Sequence, residues 1–303
     1  MPSRVRYERL TTEGVNPRSA RLDRLDAAAI ARLMNREDRR AIAAVGREAP
    51  SIGKAVDLIV AAFRAGGRLF FVGAGTSGRL GVLEAAECPP TFGTRSGQVQ
   101  AIMAGGRRSV FRSREGAEDD GRAAARAVRR RVRRGDVVVG VSASGVTPFV
   151  RDALATARRI GAATVLVQCS AARATTAARV VIRPVPGPEV LAGSTRLKAG
   201  TATKLVLNTL TTASMARLGK IYGNRMIDLQ PRSAKLRARA ERLVAEVAGV
   251  GPARARRALA ASRGRVRLAI VVARRNLPAA AAARALRAAD GSLRAVLEER
   301  FSR

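Results

Sequence analysis

The chain is predicted to be an α/β protein: a doubly wound, five-stranded parallel sheet sandwiched by helices, with a small all-α C-terminal domain. Three observations lead there. RLFFV (68–72), VQAIMAG (99–105), DVVVGVS (136–142), ATVLVQC (163–169) and VVIRP (180–184) are short, near-continuous apolar runs, the pattern of parallel strands buried on both faces. Helical stretches follow most of them: GVLEAAE, the run from Asp119 into the arginine-rich 120s, and PFVRDALATARRIG. Beyond about residue 232 the strand signals stop, and only helical patterns split by Gly or Pro remain.

In chain order, residues 1–50 are polar, with helix starts and no strand signal, and form an N-terminal helical segment. SIGKAVDLIVAAFRAGG reads as an amphipathic helix with Ser51 as N-cap and Gly66-Gly67 closing it. The strand-helix alternation then fills a domain over 51–231. The C-terminal domain, 232–303, comprises RSAKLRARAERLVAEVAG, GPARARRALAAS, RVRLAIVVARRN, PAAAAARALRAAD and GSLRAVLEER. No internal repeat is visible.

With 303 residues and 47% hydrophobic residues, the chain can bury one large core or two modest ones. No window approaches the roughly 18 consecutive apolar residues of a membrane span, and MPSRVRYERLTTEG has no apolar signal core, so a cytoplasmic protein is expected. There is no His, and Cys88 and Cys169 sit in no metal-ligand spacing, so no metal is expected. The net charge is +34, and with Lys at only five positions 52 of the 57 basic residues are Arg. Aromatics are 3% and Trp is absent, which argues against a specific nucleic-acid interface. The arginines read as a coding bias on solvated helix faces, attracting polyanions only non-specifically at low salt. Against that bias, Lys198 and Lys204 in GSTRLKAGTATK suggest positions wanting a compact ammonium.

Two loops carry chemistry. FFVGAGTSGRLG holds Gly73-x-Gly75-x-x-Gly78 between a strand and a helix, the setting of a dinucleotide fingerprint. The acid that should bind a ribose about 20 residues on is missing: the next strand ends Ala104-Gly105-Gly106-Arg107. What the loop offers is Thr76 and Ser77 beside a helix N-terminus, a place for an anion. DVVVGVSASGVTPFV repeats this logic with Ser142, Ser144, Gly145 and Thr147, hydroxyls and N–H groups that can cradle a phosphate. Each loop alone reads more readily as helix capping. Together, at the carboxyl ends of parallel strands, they favour a phosphorylated small molecule.

Glu84 and Glu87 share a helix face. Pro89 is expected to end that helix, which places Glu87 in its last turn, where the dipole raises a carboxyl pKa and suits a general acid. A second acidic cluster, EGAEDD (115–120), contains Glu115 and Glu118. Without His, acid-base chemistry must rest on carboxylates, Lys or Tyr.

These segments give the chain a resemblance to the bacterial N-acetylmuramic acid 6-phosphate etherases. The matches are LTTEGVNPRSARLD, VGAGTSGRLGVLEAAECPPTFG, EGAEDD, VVVGVSASGVTPFV and GSTRLKAGTATKLVLNTLTTASMARLGKIYGNRMIDL. The resemblance implies a sugar isomerase (SIS) type sheet domain followed by a ubiquitin-associated-like helical region, and a relation to glucokinase regulatory protein. It implies a cofactor-free lyase reaction that cleaves the D-lactyl ether of the substrate by elimination and then hydration, a step in recycling cell-wall sugar. It carries the proton-donor role to Glu87 and the second catalytic role, that of the C2 base, to Glu118, and leaves Glu84 structural. Thr76, Ser77, Ser142, Ser144, Gly145, Thr147 and Glu115 would hold phosphate and sugar, Ser194, Thr195 and Lys198 would close the site, and the protein would be a homodimer. The segment CSAARATTAARVVIRP is more arginine-rich than is usual for that family, and the C-terminal domain follows it only loosely.

Two rivals share this fold. A non-catalytic phosphosugar-binding regulator is disfavoured by the presence of both Glu87 and Glu118. A phosphosugar isomerase often uses a His for ring opening, and this chain has none.

Overall fold

The computed structural model describes residues 10–171, 177–229, 231 and 233–298. The first nine residues, part of the arginine-rich CSAARATTAARVVIRP segment and the end of GSLRAVLEER lie outside the described residues. By its contacts the chain divides into two compact units, Met1–Ala86 with Gly97–Thr212, and Glu87–Ser96 with Ala213–Arg303.

In the first unit, three single 3-10 turns (Thr11–Glu13, Pro17–Ser19, Leu22–Arg24) lead into helices α1 (Ala27–Arg47) and α2 (Ala49–Arg64). There follow β1 (Leu69–Gly73), α3 (Gly75–Phe92), β2 (Val99–Met103), the short α4 (Arg108–Phe111), α5 (Gly121–Arg131) and β3 (Val137–Val141). Then come α6 (Pro148–Ile160), β4 (Ala163–Val167), β5 (Val180–Ile182) and α7 (Lys198–Arg217). The division between units falls within α3 and α7.

All five strands are parallel, in the order β2-β1-β3-β4-β5. Every residue of β1 and β3 is buried, which is why these runs are apolar throughout rather than alternating. Period two still sorts their side chains. Phe70, Val72 and Val138 pack with Ala124 and Val128 of α5 and Phe149 and Leu154 of α6, while Phe71 meets α3 on the other face. A Cβ on Gly81 of α3 would lie 2.7 Å from that of Phe71, so the helix approaches only because residue 81 is Gly. Each fully buried Phe is worth about 1.5–3 kcal/mol relative to exposure.

At the start of the sheet the buried Asp136 accepts the backbone N–H groups of Arg68 (2.9 Å) and Arg133 (2.8 Å) and pairs with the Arg68 guanidinium at 2.7 Å. The chain passes from β1 outward to β2, then returns to place β3 on β1's other side. The carboxyl ends of β1 and β3 are therefore the topological switch point, where open α/β sheets bind ligands.

Two local expectations are corrected. α2 begins at Ala49, not after Ser51, because Pro50 supplies the fixed φ that suits a first helical turn; Ser51 lies inside the helix. Gly66 does follow it, with φ +79°. Nor does Pro89 end α3, which runs through Pro89 and Pro90 to Phe92. Proline's φ is helical, and what is lost is the N–H donor to the carbonyl four residues back. Gly93, at φ +61°, closes the helix by donating its N–H to Pro89 O at 3.0 Å. Glu87 is thus not in the last turn, and the dipole argument for it fails.

The second unit holds Glu87–Ser96, a hairpin of β6 (Ile221–Tyr222) and β7 (Arg225–Met226), and helices α8 (Ala234–Ala248), α9 (Pro252–Ala261), α10 (Val266–Arg275), α11 (Ala279–Ala288) and α12 (Leu293–Glu298). Its core centres on Ile227, Val244, Ala269, Ile270 and Val271. Asp228 accepts Lys220 Nζ at 2.9 Å and the Arg267 guanidinium. Among the described residues no helix is long and apolar enough to cross a membrane.

Candidate active site

A cavity of about 290 Å³ opens at the switch point. From the first turn of α3 it is lined by Gly75, Thr76 and Ser77, and from the β3–α6 loop by Ser142, Ser144 and Thr147. Glu118 and Asp119 of the EGAEDD turn form another wall. Phe149 N–H donates to Glu118 O at 2.9 Å, tying that turn to the start of α6.

The glycines that resemble a dinucleotide fingerprint have a packing role. A Cβ on Gly73 would lie 2.8 Å from Gly78 N, and one on Gly78 2.6 Å from Gly73 O, so the strand end and the first helical turn nearly touch.

The β3–α6 loop is internally bonded. Ser142 Oγ lies 2.8 Å from Thr147 Oγ1 and 3.3 Å from Ser144 Oγ, and accepts Gly145 N–H at 3.0 Å. Gly145 has φ +80°, and a Cβ there would lie 2.7 Å from Gln168 Oε1, so the turn admits no side chain. Gly145 therefore supports the loop from behind and does not line the cavity.

Thr12 and Glu13 close one side, and Gly193 and Thr195 another. A buried polar network holds both. Lys198 is fully buried and donates Nζ to Glu37 Oε2 at 2.7 Å. Asn16 Nδ2 donates to the same oxygen at 2.8 Å and to Pro188 O at 3.3 Å. Glu189 accepts the backbone N–H groups of Lys198 and Ala199, both at 2.8 Å, capping α7. One ion pair so anchors the N-terminal turns and the 189–197 loop. Burial pushes the Glu37 carboxyl up, but hydrogen bonds from Lys198 and Asn16 and the charges of Lys198 and Arg40 outweigh it and hold it below the usual range. Glu189 is shifted upward, chiefly by burial, against its two backbone hydrogen bonds.

The structure thus brings together Thr76, Ser77, Ser142, Ser144, Thr147, Thr195 and Glu118 of the expected site residues. Glu115 lies with Glu118 on an adjacent cavity of about 230 Å³. Lys198 lines neither, being committed to Glu37, and Ser194 lines neither, its N–H donating to Leu191 O at 3.0 Å. Glu84 accepts the Thr211 hydroxyl of α7. Glu87 belongs to the second unit, where its side chain is exposed, and is outside both linings. Sequence reasoning assigned nothing to Thr12, Glu13, Asn16, Glu37 or Glu189. One signal was available: Glu37 sits on the buried stripe of α1 with Leu33, Ala41 and Ala44, where an unpaired acid would be costly.

The model of the glucokinase regulatory protein N-terminal SIS domain matches residues 51–158. An N-acetylmuramic acid 6-phosphate etherase of Gloeobacter violaceus is 52% identical over 292 residues, 96% of this chain and 95% of that protein. Proteins of the same name from Symbiobacterium thermophilum and Geobacillus thermodenitrificans are 51% and 48% identical, covering 88% and 96% of this chain and 89% and 99% of theirs. With identity of this order over nearly the whole length of both partners, the chain belongs to the N-acetylmuramic acid 6-phosphate etherase family, enzymes of the carbon-oxygen lyase class.

Proposed function

We propose that this protein converts N-acetylmuramic acid 6-phosphate to N-acetylglucosamine 6-phosphate and D-lactate, with Glu118 as base and Glu87 as acid. The observation that carries the reading is the near-full-length identity to proteins named for this reaction. The cavity agrees with it: hydroxyls and a helix N-terminus suited to a phosphate stand beside a carboxylate.

The chemistry follows from the substrate. In its open-chain aldehyde form the C2 proton is acidic and the lactyl ether oxygen on C3 is a β leaving group. Glu118 takes the C2 proton, the C3–O bond breaks, and Glu87 protonates the departing lactate oxygen. Water then adds to C3 of the unsaturated aldehyde and a proton returns to C2. Each step moves a proton or makes or breaks one C–O bond, which carboxylates can serve. Thr76, Ser77, Ser142, Ser144 and Thr147 hold the phosphate and sugar hydroxyls, Glu115 and Thr195 contact the sugar, and Gly145 and Ser194 keep their loops in shape. Lys198 acts through Glu37 as a positioning residue. We take the working form to be a cytoplasmic homodimer, as for the family it resembles.

Incubation with N-acetylmuramic acid 6-phosphate should release D-lactate and N-acetylglucosamine 6-phosphate in equal amounts. Binding of the substrate without lactate release would replace this reading with a phosphosugar sensor.

A further inference from the structure

Both oxygens of the Glu84 carboxylate are bonded by side chains of α7, all within the first unit. Oε1 accepts the hydroxyl of Thr211, a residue only 1% exposed. Oε2 accepts the side-chain amide of Asn208 at 2.8 Å. The neighbours of that amide set its orientation: its nitrogen also donates to Lys204 O at 3.1 Å, and its oxygen accepts Lys204 Nζ at 3.0 Å. Turned the other way, the amide oxygen would face the carboxylate, acceptor against acceptor. Lys204, Asn208 and Thr211 follow one another at spacings of four and three, so one face of α7 grips one side chain of α3.

The grip falls just ahead of a weakened stretch of helix. Pro89 and Pro90 lie inside α3 and have no N–H, so the carbonyls of Ala85 and Ala86 lose the bonds they would take from the residues four further on. Glu87 sits between those carbonyls and the prolines. Its side chain is exposed, so the helix that carries it decides where it points. Glu84 stands one turn earlier on the same face, about 4.5 Å along the axis. The first turns of α3 are seated separately, by the close approaches at Gly73, Gly78 and Gly81. So is the Glu118 turn, through its bond from Phe149.

We infer that Glu84 is a positioning residue: held by Thr211 and Asn208, it fixes the rotation and axial setting of α3, and so aims the Glu87 carboxyl at the departing lactate oxygen. The inference rests on the proposed reaction and on Glu87 as its acid. Glu84 lies outside both cavity linings and acts only through the helix. Because the substrate-binding turn of α3 and the Glu118 turn have their own supports, loosening the grip disturbs the acid and spares both substrate binding and the base. The C3–O step then suffers while the C2 step does not.

The test follows the two steps separately, with N-acetylmuramic acid 6-phosphate in D₂O. Thr211→Val keeps the side-chain shape and removes the hydroxyl, Thr211→Ser keeps the hydroxyl, and Glu84→Gln keeps the length and removes one acceptor. Thr211→Val and Glu84→Gln should lower kcat for D-lactate release about tenfold or more, since a misplacement of about 1 Å can cost about a hundredfold. KM should stay within about threefold, and exchange of deuterium into C2 within about twofold. Thr211→Ser should release lactate within about threefold of wild type. The ratio of release to exchange does not depend on how much of a variant is folded, so a destabilised variant still gives an answer. Release and exchange falling together, as for a merely structural tie, or wild-type release in both Thr211→Val and Glu84→Gln, overturns the inference. If the wild-type protein releases no D-lactate, or Glu87→Gln releases it normally, the reading beneath the inference falls and takes it along. That result is distinct from an active wild type with an essential Glu87 and indifferent variants at Glu84 and Thr211.

Discussion

Lys198→Met should cripple the protein without touching either cavity. The substitution leaves Glu37, whose side chain is 3% exposed, with its main cationic partner gone. Of the charges around that carboxylate, Arg40 and Arg18 remain, at 3.6 Å and 4.0 Å and largely in solvent, where they are screened. Stranding one member of a buried ion pair costs roughly 3–5 kcal/mol, against roughly 5–15 kcal/mol of total stability for a typical domain. With a urea m value of about 2–3 kcal/mol per M, the midpoint should fall by about 1–2.5 M in urea melts followed by circular dichroism. Adding Glu37→Gln should restore most of the loss, because an amide needs no countercharge. The pair also sets an acid limit. Glu37 is held below its unfolded value of 4.5, so its stabilisation is fully present above that value and disappears as pH falls through the lower folded pKa. Lys198→Met should flatten that part of the stability profile. A midpoint within about 0.3 M of wild type, or a double variant as unstable as the single, would refute this account of the pair.

Glu118→Gln should abolish both D-lactate release and C2 exchange in D₂O, whereas Glu87→Gln should slow lactate release and still wash deuterium into C2; identical behaviour would collapse the two roles into one. Ser144→Ala and Thr147→Ala should each raise KM by about tenfold, one hydrogen bond to a charged group, and an unchanged KM in both would move the phosphate off this loop. Burial pushes the Cys169 thiol up to about 12, with the Glu189 charge adding to the rise and the Thr203 hydrogen bond opposing it. An unfolded thiol ionises near 9.0, so Cys169 should lower stability as pH rises from about 9 toward 12, and Cys169→Ala should remove that slope in alkaline melts.

The strands were legible because both faces of this sheet are covered, which writes each one as an uninterrupted apolar run such as LFFVG or VVVGV. The hydroxyl loops were legible because a ligand cradle at a helix start uses consecutive residues. What escaped depends on distance along the chain. Asn16, Glu37, Glu189 and Lys198 meet across separations of up to 161 residues, and no local pattern announces a shared carboxylate. Lys198 was noticed for its rarity and expected at the ligand, while its ammonium is spent on Glu37. Pro89 reads as a helix stop, yet its own φ is helical and α3 runs on to Phe92, so the argument from helix polarity for Glu87 is lost.

The loop between β3 and α6 has a consequence for which sugars it admits. Its hydroxyls satisfy one another through Ser142, Ser144 and Thr147, so the loop is its own competing ligand. An uncharged sugar offers hydroxyls no better than those it would displace, and gains little by entering. A phosphate brings only acceptors, each stronger than a hydroxyl oxygen, and turns the same groups outward as donors. Selection for phosphorylated sugars over their neutral counterparts then comes from the bonds that the loop makes with itself.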